Sequence, residues 1–236
     1  MRQISLAARL FTVAALPLAL TACSTIAPKA AGLAASAAAP VPDPNKGLLT
    51  GSQLKTALAP ASFFATGFTA DPESSRDTGD GYRPPAATEV PTPDCTKLDK
   101  TAWTEITGIT GVSFAQDAYV NKNSSEEFAQ EIDVYRGTTA TTVLDALGKI
   151  SKGCPKYTDG DTNAKVAVTE KPLAGVGDGA WAITLTSSAW QGGTTLVAAR
   201  VGTAVVTVLA SSSTDTGMPG ATKLTKQLVT SLAGKA

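Results

Sequence analysis

A chain of 236 residues without a single histidine has lost the commonest general base, the commonest zinc ligand and the usual partner of a nucleophilic serine or cysteine. What remains for chemistry is three cysteines, Cys23, Cys95 and Cys154, and three short motifs. Asp159, Asp161, Asn163 and Glu170 stand at positions one, three, five and twelve of a calcium-type loop, with the apolar Val166 at eight. Position six is Ala164, where the tight turn needs glycine, and Lys171-Pro172 follows where an exiting helix should begin. The stretch therefore reads as a polar turn leading into a strand, and no metal is expected. Gly175-Val176-Gly177-Asp178-Gly179-Ala180 has the letters of a dinucleotide fingerprint, which works only between a strand and a helix whose amides face phosphate. Here a strand follows, so the expectation is a glycine-rich approach to a hairpin and no cofactor. Ser52 and Lys55 lie one helical turn apart, as in penicillin-binding enzymes, but the companion Ser-Asp-Asn and Lys-Thr-Gly signals are missing. Helix capping explains Ser52 better, and no catalytic residue or enzymatic activity is expected.

The cysteines carry more. Cys23 follows Leu20-Thr21-Ala22, behind a charged start at Arg2 and Arg9 and an apolar run from Leu10 to Leu20. That run is too short to span a bilayer and reads as a signal peptide over residues 1–22. The four residues resemble the lipobox of bacterial lipoproteins. The resemblance implies cleavage before Cys23, diacylation of Cys23 and residence at the extracytoplasmic face of the cell membrane, two acyl chains sufficing where one is marginal. Setting Cys23 aside leaves Cys95 and Cys154 as a pair in an oxidising compartment, expected to form a disulfide. Closing a loop of about 60 residues would constrain the unfolded chain by roughly 4 kcal/mol. After cleavage 18 basic residues face 20 acidic ones over 214 residues, a formal charge of −2. That balance gives no electrostatic reason to expect nucleic acid, and no second segment is long and apolar enough to cross a membrane.

The elements that must position these residues follow from pattern. Residues 23–46 are Ala-rich with Pro28, Pro40, Pro42 and Pro44. They cannot bury enough surface to fold, and form a tether with a reach on the order of 25 Å. Residues 47–236 then make one domain. Thr50 or Ser52 caps a short helix to about Leu58, stopped by Pro60, and Phe63, Phe64 and Phe68 mark an extended segment. From Asp71 to Asp94 five prolines and scattered charges predict a mobile flap that adds little to the core. Asp94 caps a helix that carries Cys95 and buries Leu98, Ala102 and Ile106. After a less regular strand from Ile109 to Val120, Glu126 to Arg136 alternates, with Phe128, Ile132 and Val134 on one face and Glu131 and Asp133 on the other, which fits a sheet with one wet side. A helix opening at Thr138 to Thr142 buries Val143, Leu147 and Ile150 and ends at Gly153-Cys154-Pro155, within reach of Cys95. Strands are expected at about 164–169, 179–187, 194–201 and 203–210, with Trp181 in the core, and a last helix at about 220–232 docks Leu224, Leu228 and Leu232. The fold class is α+β: a twisted antiparallel sheet of about six strands, helices packed mainly on one face, and one disulfide.

Gly47-Leu48-Leu49-Thr50 at a helix start, the pair Cys95 and Gly153-Cys154, Val176-Gly177-Asp178, and Arg200-Val201-Gly202 entering an apolar strand together resemble the PknH-type extracellular sensor domain of actinobacterial receptor kinases. The likeness runs from about Lys46 to Leu232. It implies a twisted antiparallel sheet, helices on one face, a cleft that takes a ligand, and no enzymatic activity. Kinase-linked members commonly carry two disulfides where this chain can make one, and no kinase segment stands in these residues, so any signal would pass to another protein. Two functions from different classes follow: a lipoprotein that binds a small envelope molecule or a partner protein in a sensor-like cleft, and a structural or assembly accessory of the envelope, like small PsbP-like lipoproteins.

Overall fold

Hydrophobic alternation in the last third of the chain builds the centre of the molecule. In the computed structural model, which describes residues 42–85, 94–98, 101, 104–124, 126–233 and 235, eight strands form one antiparallel sheet. They are β1 (Thr69–Asp77), β2 (Ser113–Asn121), β3 (Glu126–Val134), β4 (Lys156–Thr158), β5 (Lys165–Pro172), β6 (Ala180–Thr186), β7 (Gly193–Val201) and β8 (Ala204–Ser212). Their order is β1-β2-β3-β8-β7-β6-β5-β4. The expected α+β class holds, but eight strands replace about six. The additional ones are the two edges, β1 and β4.

β1 corrects the reading of Asp71 to Asp94 as a flap. Thr69 to Asp71 pair with Val120 to Ala118, and Arg76 and Asp77 pair with Gln116 and Ala115, with a bulge between. Pro72 sits in that bulge on an edge strand, where no ladder donor is demanded, so the period-2 signal is broken without the strand being lost. Thr78 N then donates to Phe114 O and Arg83 N to Val112 O, which carries the ordered backbone on to the end of the polar stretch's first half. Residues 86–93 of the proposed flap lie outside the described residues, as do Cys23, the leader and the tether through Val41.

The expectation of helices mainly on one face is also corrected. On one side α5 (Met218–Ala233) presents Ala221, Leu224, Leu228 and Leu232 to Ala182, Val197, Val206, Val208 and Ala210. The short α1 (Gly51–Lys55) adds Leu54 to that side. On the other side α2 (Thr104–Thr107), α3 (Thr139–Leu147) and α4 (Ile150–Gly153) cover Ile183, Leu185, Leu196, Ala198, Val205 and Leu209 with Ile106, Val143, Leu144, Leu147 and Ile150. Adjacent residues of β7 and β8 thus feed opposite cores. Both faces of the central strands are sealed, and their near-continuous apolar runs are the sequence mark of that.

Local chemistry sets the helix ends. Thr50, rather than Ser52, is the N-cap of α1, in a reciprocal capping box: its N–H donates to Gln53 Oε1 at 2.8 Å and its Oγ1 accepts from Gln53 N at 3.4 Å. Asp94 caps as expected, but over a single 3-10 turn, Cys95–Lys97, not a helix reaching Ile106. The predicted helix from Thr138 to Gly153 is broken at Gly148. A Cβ there would collide with the indole of Trp181, so the chain stops one helix and starts another around that ring. Cys95 and Cys154 are joined, with Cα atoms 5.5 Å apart across 59 residues.

Candidate ligand cleft

The two glycine signatures of the sequence meet in space. Asp178 N donates to Arg200 O at 2.8 Å and Arg200 N donates to Gly179 O at 2.9 Å. Asp178 Oδ2 accepts from Gly202 N at 2.8 Å and stands 3.3 Å from Arg200 Nη1. Gly177, at φ +57°, lies so close to Arg200 O that any side chain would collide with it. Val176-Gly177-Asp178 and Arg200-Val201-Gly202 are therefore two halves of one clasp, which locks the β5–β6 loop onto the β7–β8 turn.

Beside the clasp opens a cleft of 430 Å³. Leu144, Leu173, Ala180 and Trp181 are among its apolar lining, and Asp145, Asp178 and Arg200 are its charged groups. Trp181 was expected in the core. It is only half buried, its indole packed against Gly148, with one part against the core and another lining the cleft. Mostly apolar walls with a few placed polar groups, in this size range, are what small-molecule sites show. Two carboxylates against one guanidinium give the rim a negative balance, and that guanidinium is already occupied by Asp178.

The other expected motifs do not gather into a site. Asp159 spends its Oδ1 on Asp161 N, Thr162 N and Thr162 Oγ1, and the Thr162 contacts hold its pKa below the usual value. Asn163 takes φ +56° to close the β4–β5 hairpin. Glu170 lies further along β5, bonded to Ser151 N and Oγ at 3.2 and 2.5 Å. The residues of the calcium-like pattern thus belong to a hairpin turn and a helix clamp. No group of three metal-capable side chains stands together among the described residues. Lys55 Nζ pairs with Asp77 Oδ2 at 3.1 Å, and Ser52 N is held by Gly79 O at 3.0 Å.

Sequence reasoning missed the buried acids. Glu131 and Asp133, assigned to a wet face, are 3% and 4% exposed; they alternate with Ile132 and Val134 and share their face with Tyr135, which packs in one core cluster with Leu98, Ile106 and Ile109. Burial first, then the charge and hydrogen bond of Glu131, push the Asp133 carboxyl well above its ordinary range, against a smaller pull from Arg83. Two adjoining carboxyls do not readily ionise together in an apolar setting, which is the sense of that shift. The next residue on this face, Tyr135, is likewise pushed up by burial and by both acids.

No family model matches the chain, and no curated protein matches it. Among solved structures it is similar to the extracellular domain of PknH from Mycobacterium tuberculosis, at 12% identity and a TM-score of 0.55, over 79% of this chain and 97% of that one. The fold suggested by the cysteine and glycine signatures is the fold this chain has. The likeness reaches no further than fold. No helix among the described residues is long and apolar enough to cross a membrane.

Proposed function

We propose that this chain is a lipid-anchored extracytoplasmic protein whose PknH-like domain is a non-catalytic binding module, with the Trp181 cleft as the seat of a small ligand. The observation that carries the reading is the cleft itself: a largely apolar wall closed on one side by a clasp in which Gly177 leaves no room for a side chain and Asp178 bonds both Arg200 and Gly202, so its shape exists before any ligand arrives. An apolar body with hydrogen-bond donors for Asp145 and Asp178 suits this wall and rim. The leader and Cys23 supply the address, and the fold shared with an extracellular domain supports it.

The test is to extract the full chain gently from its own membrane and weigh it by native mass spectrometry. A bound small molecule is expected in the parent protein and absent from Gly148→Ala, which displaces Trp181 without itself lining the cleft. Cys23→Ala should leave the membrane fraction. A parent protein that carries no ligand and shows no thermal shift against a metabolite library would remove the cleft reading. Membrane association that survives Cys23→Ala would remove the anchor.

The accessory reading has one observation of its own. Phe63, Phe64, Phe68 and Phe128 form a half-buried aromatic cluster in which Phe64 stacks on Tyr119 at 3.9 Å between centroids. Aromatic clusters of this kind are enriched in protein interfaces. Crosslinking from Phe64 to an envelope protein would favour that alternative.

A further inference from the structure

A second cavity, independent of the cleft, lies at the opposite end of the sheet. Its volume is 230 Å³ and its lining is Trp190, Gln191, Ser124, Thr194 and the run Ser211 to Ser213, closed by Gly193. Among the described residues that line it there is no Asp, Glu, Lys or Arg, so nothing in that lining selects for a phosphate, a carboxylate or a cation. What it offers is one large aromatic surface and a ring of hydroxyl and carboxamide groups. We propose that this cavity is a binding site for a neutral saccharide, the ring of one sugar unit resting against Trp190 while its hydroxyls bond Gln191, Thr194, Ser124 and Ser211.

The chemistry follows group by group. A sugar ring has an apolar C–H face and a polar rim, and Trp190 matches the first, being half buried and packed against the core so that its position is fixed. Thr194 Oγ1 and Ser211 Oγ are 3.0 Å apart across β7 and β8, and Ser124 Oγ donates to Glu126 Oε2 at 2.9 Å. Each hydroxyl has one donor and two lone pairs, so after these bonds acceptor capacity remains on every one of them. The side chain of Gln191 extends from an exposed residue with two donors and one acceptor. This mixture of acceptors and donors at neutral charge fits the hydroxyls of a sugar, which both give and take hydrogen bonds.

The cavity is also built in advance. Gly192, at φ +74°, comes so close to Ser212 O and Asp215 O that no other residue could stand there, and this pins the loop carrying Trp190 onto the end of β8. Ser212 Oγ in turn accepts from Thr214 N and Asp215 N, each at 3.2 Å. Little ordering entropy is then left to lose on binding.

The experiment uses the full chain on an array of neutral tri- to hexasaccharides of glucose, galactose, mannose, arabinose and N-acetylglucosamine, with charged glycans alongside, followed by calorimetric titration of any hit. Saturable binding to at least one neutral glycan is expected. Trp190→Leu, which keeps apolar volume against the core but loses the flat face, should weaken it by about tenfold or more. Gln191→Ala, at an exposed position, should weaken it several-fold with the melting temperature unchanged. Trp181→Phe, in the other cleft, should leave glycan binding unchanged. An array without any neutral hit, preference for charged glycans, or binding indifferent to both Trp190→Leu and Gln191→Ala would overturn the assignment.

Discussion

The two faces of the sheet are closed by different means. One is sealed mainly by the sixteen-residue helix α5, whose Leu224, Leu228 and Leu232 stack in a row on Ala and Val side chains of the strands, with Leu54 of the short α1 beside them. The other is covered by α2, α3, α4 and a 3-10 turn, all short, tied by the Cys95–Cys154 bond and lying over two buried acids and a tyrosine. A short helix is marginal by itself, so the second face depends on a covalent tie and on tertiary contacts. The contrast teaches where functional variation has room. The cleft opens at the patched face and next to its loops, while the α5 face is committed to packing.

Breaking the packed face should cost most. Leu228 is fully buried in the middle of the α5 row, and Leu228→Ala leaves a cavity there at a cost of about 2–5 kcal/mol. Chemical denaturation should show the midpoint fall with the slope unchanged. A loss below about 1 kcal/mol would mean that α5 is a loose cover. Next comes the patched face. Cys154→Ser removes a bond that closes 59 residues, and should cost about 2–4 kcal/mol, with faster proteolysis confined to the segment around Cys95. Uniform destabilisation without that local opening would show that the bond does not hold this cover in place.

How much of this contrast could be read from residues alone depends on the face. The α5 side was legible: the row Leu224, Leu228, Leu232 and the alternating β3 residues Phe128, Ile132 and Val134 gave helix, strand and core face together. Cysteine parity gave the disulfide, and the glycine signatures gave a resemblance that fold similarity supports. The patched side was not legible, because each of its features depends on what lies above it. Glu131 and Asp133 alternate like solvent-facing residues, and only their cover makes them buried. Gly148 looks like a mid-helix residue until Trp181 is placed against it. β1 carries its bulge inside a proline-bearing polar stretch, so its period was interrupted where it was read. The cleft and the Trp190 cavity draw on residues scattered over several elements, and no local spacing announces them.

The acids weight the pH dependence toward the patched face, although the value of Asp117, beside Gln130 on the α5 side, is also raised by burial. The folded value of Asp133 is raised above the ordinary 3.8 by burial and by Glu131, with Arg83 opposing and Tyr135 beside it. The native state therefore holds a proton that the unfolded chain releases at lower pH. The stability this contributes is complete below the ordinary value and is lost as pH rises toward and through the folded value, at no more than about 1.4 kcal/mol per pH unit. Asp77 and Asp159, whose values are lowered, act in the opposite sense, but their window lies at and below the ordinary value. Denaturation across mildly acidic to neutral pH should show stability declining in the parent and a flatter profile in Asp133→Asn, which keeps the shape without the titration. Identical profiles would show that Asp133 does not keep its proton.

The smallest effect tests whether the two faces answer to each other at all. The Thr50 capping box stands on the α5 side, where α1 buries Leu54, and Thr50→Ala should cost about 1 kcal/mol through the lost cap. Gly51, packed against Thr78 and Phe114, keeps α1 in place, so the loss should remain local and leave the slope of unfolding unchanged. Combined with Cys154→Ser, on the other side of the sheet, the two costs should add to within about 0.5 kcal/mol, as they do for changes without shared partners. Additivity would mean that the strands act as a rigid partition: either cover can be altered, or occupied by a ligand, without the other responding. A coupling energy above about 1 kcal/mol would instead show that strain crosses the sheet. Then binding in the cleft on the patched face would be felt at α1 and the aromatic cluster, and the sheet would be a route for a signal.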